Sequence, residues 1–156
     1  MDYRNKQQVK DGYDAITVDL SRVTRVVAGG KRMSFRATVA VGNKLGEVGL
    51  GVGKGLDVAQ SLDKAKANAR KQLIRVPIKE GTIPHEVQGK FGAAYVIIKP
   101  AAKGRGIIAG SSVRSILTLA GYSDISAKIL STTKNKLNNA RAALIALQSI
   151  AGYSKK

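Results

Sequence analysis

The chain has no cysteine and no tryptophan, one histidine, three prolines, and only 4% aromatic residues in 156 positions. Without cysteine there are no disulfides and no thiolate metal sites, and a reducing compartment is permitted. With His85 as the single histidine, no common zinc ligand set can be assembled. His85-Glu86 looks like the start of H-E-x-x-H, but position 89 is Gly89. Acids are also scarce, ten against 27 Lys and Arg, and they are scattered, which leaves little for paired-carboxylate catalysis. No apolar run approaches the roughly 18 residues of a membrane span. The opening MDYRNKQQVKDGYD has no apolar signal core, and four aspartates within the first 19 residues argue against a transit peptide. Few aromatics also mean that stacking on single-stranded bases is not the main mode of any nucleic-acid recognition.

What the chain has is positive charge. The net charge is +17 and the pI about 10.4, while an apolar content of 44% is enough for a core. Such self-repulsion calls for a polyanion: RNA, DNA or an acidic membrane surface. Residues 22–75 hold 12 basic and 3 acidic residues, residues 90–141 hold 9 and 1, and residues 1–21 hold 3 and 4. The cations therefore sit on the folded parts and not on a detachable tail. That distribution suits burial in a large RNA better than a single groove contact. Membrane insertion is weakly supported, because the basic helix described below has an alanine-rich apolar side without aromatics.

The most informative stretch is GGKRMSFRATVAVGNKLGEVGLGVGK, residues 29–54. Residues 15–28 read as a strand with a bend near Ser21. In 32–42, Met33, Phe35, Ala37, Val39 and Val41 alternate with Ser34, Arg36, Thr38 and Ala40, the period of a strand. Gly42–Gly46 is a turn, and 47–53 return as a third strand. Its Gly49, Gly51 and Gly53 leave one face bare, open to a phosphate chain or to a tightly packed neighbour. Asp57 is the expected N-cap of a helix reaching about Ile74, with Val58, Leu62, Ala65, Ala69 and Leu73 inward. Lys64, Lys66, Arg70, Lys71 and Arg75 lie around the rest, as on the helix with which duplex-RNA-binding domains meet phosphates.

Pro77 opens a second pattern. Strands are expected at 76–80, 83–91 and 94–99, then a basic glycine loop at Lys103–Gly106. A helix follows over 112–120, stopped by Gly121, then a strand over 124–130 and a helix over 136–150. Two enzyme-like patterns fail on inspection. A P-loop would need glycine at Val48 and Ser or Thr at Gly55. Gly104-x-Gly106-x-x-Ala109 matches a dinucleotide fingerprint with Asp124 at the right distance, but that acid should close a second strand and here begins one. No cofactor and no metal is expected.

Several ordered motifs resemble one family. Gly30-Lys31-x3-Phe35-x-Ala37 and Val41-Gly42-Asn43-x2-Gly46-x-Val48-Gly49-x-Gly51-x-Gly53-Lys54 are similar to the signature of small-subunit ribosomal protein number five. Gly81–Val87, Gly106–Gly110, Arg114 with Leu117, Ala120 and Gly121, and Asn135–Asn138 agree with it, so the resemblance covers about residues 15–150. It implies an α+β fold of two domains, a duplex-RNA-binding-like β-β-β-α domain (15–75) and a small α/β domain with a left-handed βαβ crossover (76–152). The polar residues 1–14 before them read as a flexible tail.

It also implies a non-enzymatic constituent of the small ribosomal subunit, cytoplasmic or organellar, that binds small-subunit rRNA and contributes to assembly, decoding accuracy and the mRNA entry channel. The segment Val26–Arg32 would reach toward the head–body neck. Proteins four and eight would be neighbours, with three as a further candidate. The expected rRNA contacts are Arg25, Gly29, Gly30, Lys31, Arg32, Arg36, Gly51, Gly53, Lys54, Lys64 and Lys71. The expected protein contacts are Gly104, Arg105, Gly106 and Arg114. Two positions depart from the family pattern: Arg105 stands where threonine is usual, and Lys136 where proline is usual. A free-standing duplex-RNA binder or RNA chaperone is the alternative, with an oxidoreductase third.

Overall fold

The computed structural model describes Gln7–Gln8 and residues 12–153. Most of the expected 1–14 tail lies outside the described residues. The chain forms two sheets, and the fold is α+β. In the first sheet β1 (Gln7–Gln8), β2 (Asp14–Val27), β3 (Gly30–Gly42), β4 (Glu47–Gly55) and β5 (Ile74–Arg75) run antiparallel in sequence order. Helix α1 (Val58–Lys71) joins β4 to β5. In the second sheet β6 (Val87–Phe91), β7 (Ala94–Pro100), β8 (Ile107–Ile108) and β9 (Ile125–Ile129) take the order β6-β7-β9-β8. Only β8 and β9 are parallel, joined by α2 (Ser111–Ala120), and α3 (Lys136–Tyr153) follows.

The period-2 pattern of β3 is present, but both of its faces are buried over residues 37–42. Ala37, Val39 and Val41 pack with Ala65 and Ala69 of α1. Ala40, between them, joins Val48 and Leu50 in a larger core built mainly from the second half of the chain. The first sheet is thus sandwiched, with α1 on one side and α2 and α3 on the other.

The turn between β3 and β4 carries the docking. Asn43 Oδ1 accepts from the amides of Leu45 (2.8 Å) and Glu47 (3.1 Å), which holds the turn closed. The Lys44 and Gly46 amides then donate to the carbonyls of Leu119 and Ala120, both at 2.9 Å. Those are C-terminal carbonyls that α2 cannot pair within itself. A Cβ on Gly42 would collide with the Leu119 carbonyl, and one on Gly121 with that of Lys44. Gly121 also ends α2 at φ +98°.

Several expectations are corrected. Helix α1 ends at Lys71, because Ile74 and Arg75 leave it to pair with Val48 and Glu47. Asp57 stands at the N-cap with extended backbone, but its side chain makes no capping bond. Gln60 instead accepts from the Leu56 amide at 3.1 Å. Of the expected α1 stripe, Ala65 and Ala69 are fully buried and Leu62 packs partly buried beside them, while Ser61, not expected inward, is the third fully buried position. Residues 76–80 are not a strand: Pro77 lacks a ladder donor, and the Tyr122 hydroxyl takes the Pro77 carbonyl at 2.9 Å. The expected strand 83–91 begins only at Val87. The irregularity in β2 is a register shift at Val18, between Thr17 and Asp19, and not a bend at Ser21.

Candidate nucleic-acid interface

Strand β4 stops pairing with β3 at the Phe35–Gly55 pair. Beyond it β2 and β3 continue as a two-stranded ribbon to the turn at Ala28–Gly29. An isolated ribbon has little stability of its own, and this one has no acid to balance its cations: none occurs between Asp19 and Glu47. The register fixes its faces. One face carries Arg25 directly opposite Arg32, then Val23 opposite Ser34, then Ser21 opposite Arg36. Arg36 is also opposite Lys54 on β4. Like charges facing each other across a ladder are destabilising, so these pairs are best compensated by an anion. The Arg36 Nε and Ser21 Oγ atoms are buried without hydrogen-bond partners.

The other face carries Lys31 opposite Val26, Met33 opposite Thr24, and Arg22 opposite Phe35. Val26 and Met33 are 75% and 50% exposed, so the apolar alternation that reads as core continues out into solvent. Arg22 is exposed on the same face as Lys31, two rows nearer the sheet, and is not among the expected contacts. Its signal was available, since it shares the acid-free stretch. Lys64 and Lys71 are exposed on α1, which covers this second side of the sheet. The expected cations therefore divide: Arg25, Arg32, Arg36 and Lys54 share one face, while Lys31, Lys64 and Lys71 belong to the other.

The glycines divide as well. A Cβ on Gly29 or Gly30 would meet nothing within 4 Å, so the tip of the ribbon is open to close approach. Gly51 and Gly53 are buried, and a Cβ on Gly51 would strike the backbone of Ala65 and Ala69. On Gly53 it would strike Ser61 and Ala65, and on Gly49 the Ala69 carbonyl. The bare face of β4 is therefore filled by α1, helix backbone laid directly on strand backbone. As phosphate-approach positions Gly51 and Gly53 are corrected: their space is already occupied.

Gly104 and Arg105 are exposed, Gly106 is half-buried, and Arg114 is exposed on α2. The glycine loop does not open a helix, because β8 intervenes. Asp124 Oδ1 accepts from the Gly106 amide at 2.8 Å. That bond, with help from Ser123 and the Gly104 and Arg105 amides, holds the Asp124 carboxyl below the usual carboxylate range. The amides that would bind a pyrophosphate are engaged by the chain's own acid, so the dinucleotide reading fails on geometry. Arg105 sits between two glycines at φ +86° and +74° and is presented outward on this anchored loop. Lys136, the second departure, has a local role: its Nζ is 3.1 Å from Asp19 Oδ1, tying the start of α3 to β2 just below the ribbon.

His85 is exposed and lies in no metal-binding group; among the described residues no cluster of three or more His, Cys, Asp or Glu could hold a metal ion. Among them, too, no helix is long and apolar enough to cross a membrane.

Comparison with known proteins gives one consistent answer. Residues 13–77 match the model of the ribosomal protein S5 N-terminal domain, and residues 89–155 that of the ribosomal protein S5 C-terminal domain. Small ribosomal subunit protein uS5c of Guillardia theta is 49% identical over 152 residues, covering 97% of this chain and 89% of that protein. The protein of the same name from Rhodomonas salina is 52% identical over 139 residues, 88% of this chain and 82% of that one. Small ribosomal subunit protein uS5 of Acaryochloris marina is 47% identical over 153 residues, 97% and 85% of the two chains. The chain belongs to the ribosomal protein S5 family and is a structural, non-enzymatic protein of the small ribosomal subunit.

Proposed function

We propose that the β2–β3 ribbon is the principal rRNA anchor of this chain, and that the protein serves assembly, decoding accuracy and the mRNA entry channel through it. The observation that carries this reading is the pairing of Arg25 with Arg32 on a projecting, acid-free ribbon. In the free protein that arrangement stores repulsion, and two backbone phosphates relieve it. Arg36 and Lys54 extend the same face toward the sheet, Lys31 and Arg22 cover the reverse, and Gly29 and Gly30 let the tip approach closely. Lys64 and Lys71 add a second contact on α1. The basis is phosphate neutralisation and shape, not base reading.

The anchored loop Gly104–Gly106 with Arg114 is the proposed contact for protein four, with eight and three as further neighbours. The ribosome in question is cytoplasmic or organellar. Binding of purified protein to small-subunit rRNA as a function of salt tests the anchor. With roughly 8 phosphates neutralised, log affinity falls against log salt with a slope of about −7. Replacing Arg25 and Arg32 by glutamine flattens it by about 2. A slope shallower than about −2 for the native protein, or one unchanged by that double substitution, contradicts the reading.

A further inference from the structure

The second sheet leaves one face uncovered. Val87, Gly89, Ala94, Val96 and Ile98 point into the core, and α3 packs on that side. The register places Gln88, Lys90, Tyr95, Ile97, Lys99, Ser126 and Lys128 together on the opposite face, where none is buried. Lys90 is directly opposite Tyr95 on β6, and Lys128 is directly opposite Ile97 on β9. The Tyr95 hydroxyl bonds to Gln88 Oε1 on the neighbouring strand, which tethers the ring across the sheet. Lys99 is 3.1 Å from Glu86, but Lys90 and Lys128 have no ion-pair partner among the described residues.

We propose that this face is a further RNA-binding surface, separate from the ribbon and α1, a platform on which one unpaired base stacks against Tyr95 while its flanking phosphates lie on Lys90 and Lys128. Strand and residue spacings put the two lysine Cα atoms roughly 12 Å apart, one on each side of β7. Their long stems reach a backbone passing over the ring from either side. A half-exposed tyrosine and isoleucine between unpartnered cations suit a base and its phosphates. An apolar protein neighbour would leave both lysines buried and uncompensated. The chain has few aromatics, so the platform takes a single base, and stacking of that kind is tolerant of sequence. The proposal rests on the RNA-binding reading of the chain but uses residues the ribbon does not.

The test uses the full chain carrying Arg25→Gln and Arg32→Gln, so that ribbon binding is already weakened, and two probes. One is an eight-nucleotide unstructured RNA with a central 2-aminopurine; the other is an RNA duplex of matched length. Binding should change the 2-aminopurine fluorescence. Tyr95→Leu should lower single-strand affinity about 5- to 100-fold and leave duplex affinity within twofold. Tyr95→Phe, which keeps the ring, should stay close to the parent. Lys90→Gln with Lys128→Gln should flatten the single-strand salt slope by about 1.4. The proposal is overturned if Tyr95→Leu changes neither probe, changes both equally, or is matched by Tyr95→Phe. It is also overturned if the face is covered by a protein neighbour in the assembled subunit. None of these results depends on the ribbon, whose failure would instead show as duplex binding that never responded to the Arg25 and Arg32 substitutions.

Discussion

Two glycine-and-cation segments, 29–36 and 49–54, lie close together in sequence, share composition and pair through the same strand, yet the fold uses them in opposite ways. At the ribbon tip Gly29 and Gly30 have open space around them, and the neighbouring arginines face one another without an acid. Along β4 the glycines are covered by α1, so closely that a single methyl group would displace helix backbone. The lesson is that glycine beside lysine does not by itself mark a phosphate site. What decides is whether the vacated volume opens to solvent or is filled by the chain. Here the glycine stripe builds the layer that holds the sheet, and the sheet in turn projects the ribbon.

The contrast can be broken most forcefully from the packed side. Gly51→Val should cost about 3 kcal/mol or more in urea unfolding, because the obstacle is helix backbone and not a flexible side chain. Gly29→Ala should change stability little. From the open side, Arg25→Gln with Arg32→Gln should weaken rRNA binding about 10- to 100-fold near 0.1 M salt while the melting temperature holds or rises slightly, since repulsion is removed. A large loss of stability would show that these arginines hold the ribbon together.

Smaller effects sharpen the picture of the second half. Tyr122→Phe should cost about 1 kcal/mol by denaturant unfolding, through loss of the bond to the Pro77 carbonyl. At the Gly104–Gly106 loop the folded Asp124 carboxyl titrates below its unfolded value. Its stabilisation is therefore fully present above about pH 4 and is lost as pH falls through the lower folded value. The Gly106 amide shift should follow that titration by NMR and become independent of acid pH in Asp124→Ala. Least of all, Lys136→Met should change stability by less than about 1 kcal/mol, as expected of a partly exposed ion pair.

Much of the architecture is legible before any coordinates. The alternation of 32–42, the stop at Gly121 and the start of the last helix near Lys136 all follow from local chemistry. What escapes is long-range. Periodicity shows that Val26 and Met33 alternate, but not that the partner sheet ends at Gly55 and leaves them in solvent. It finds the glycine stripe without saying that α1 returns over it. Strands β5 and β8 are two residues each and exist only through distant partners, Glu47–Val48 and Ile125–Ser126. The basic positions are visible as charge, but their division between two faces depends on register. So does the meeting of Lys90, Tyr95 and Lys128.

Hydrogen exchange, compared between the free protein and the assembled small subunit, tests the division of labour directly. The account predicts that ribbon amides 23–34 exchange quickly in the free chain and become strongly protected on assembly, while amides 49–53 are already protected beforehand and change little. Protection appearing at 49–53 only upon assembly, with the ribbon unaffected, would contradict it.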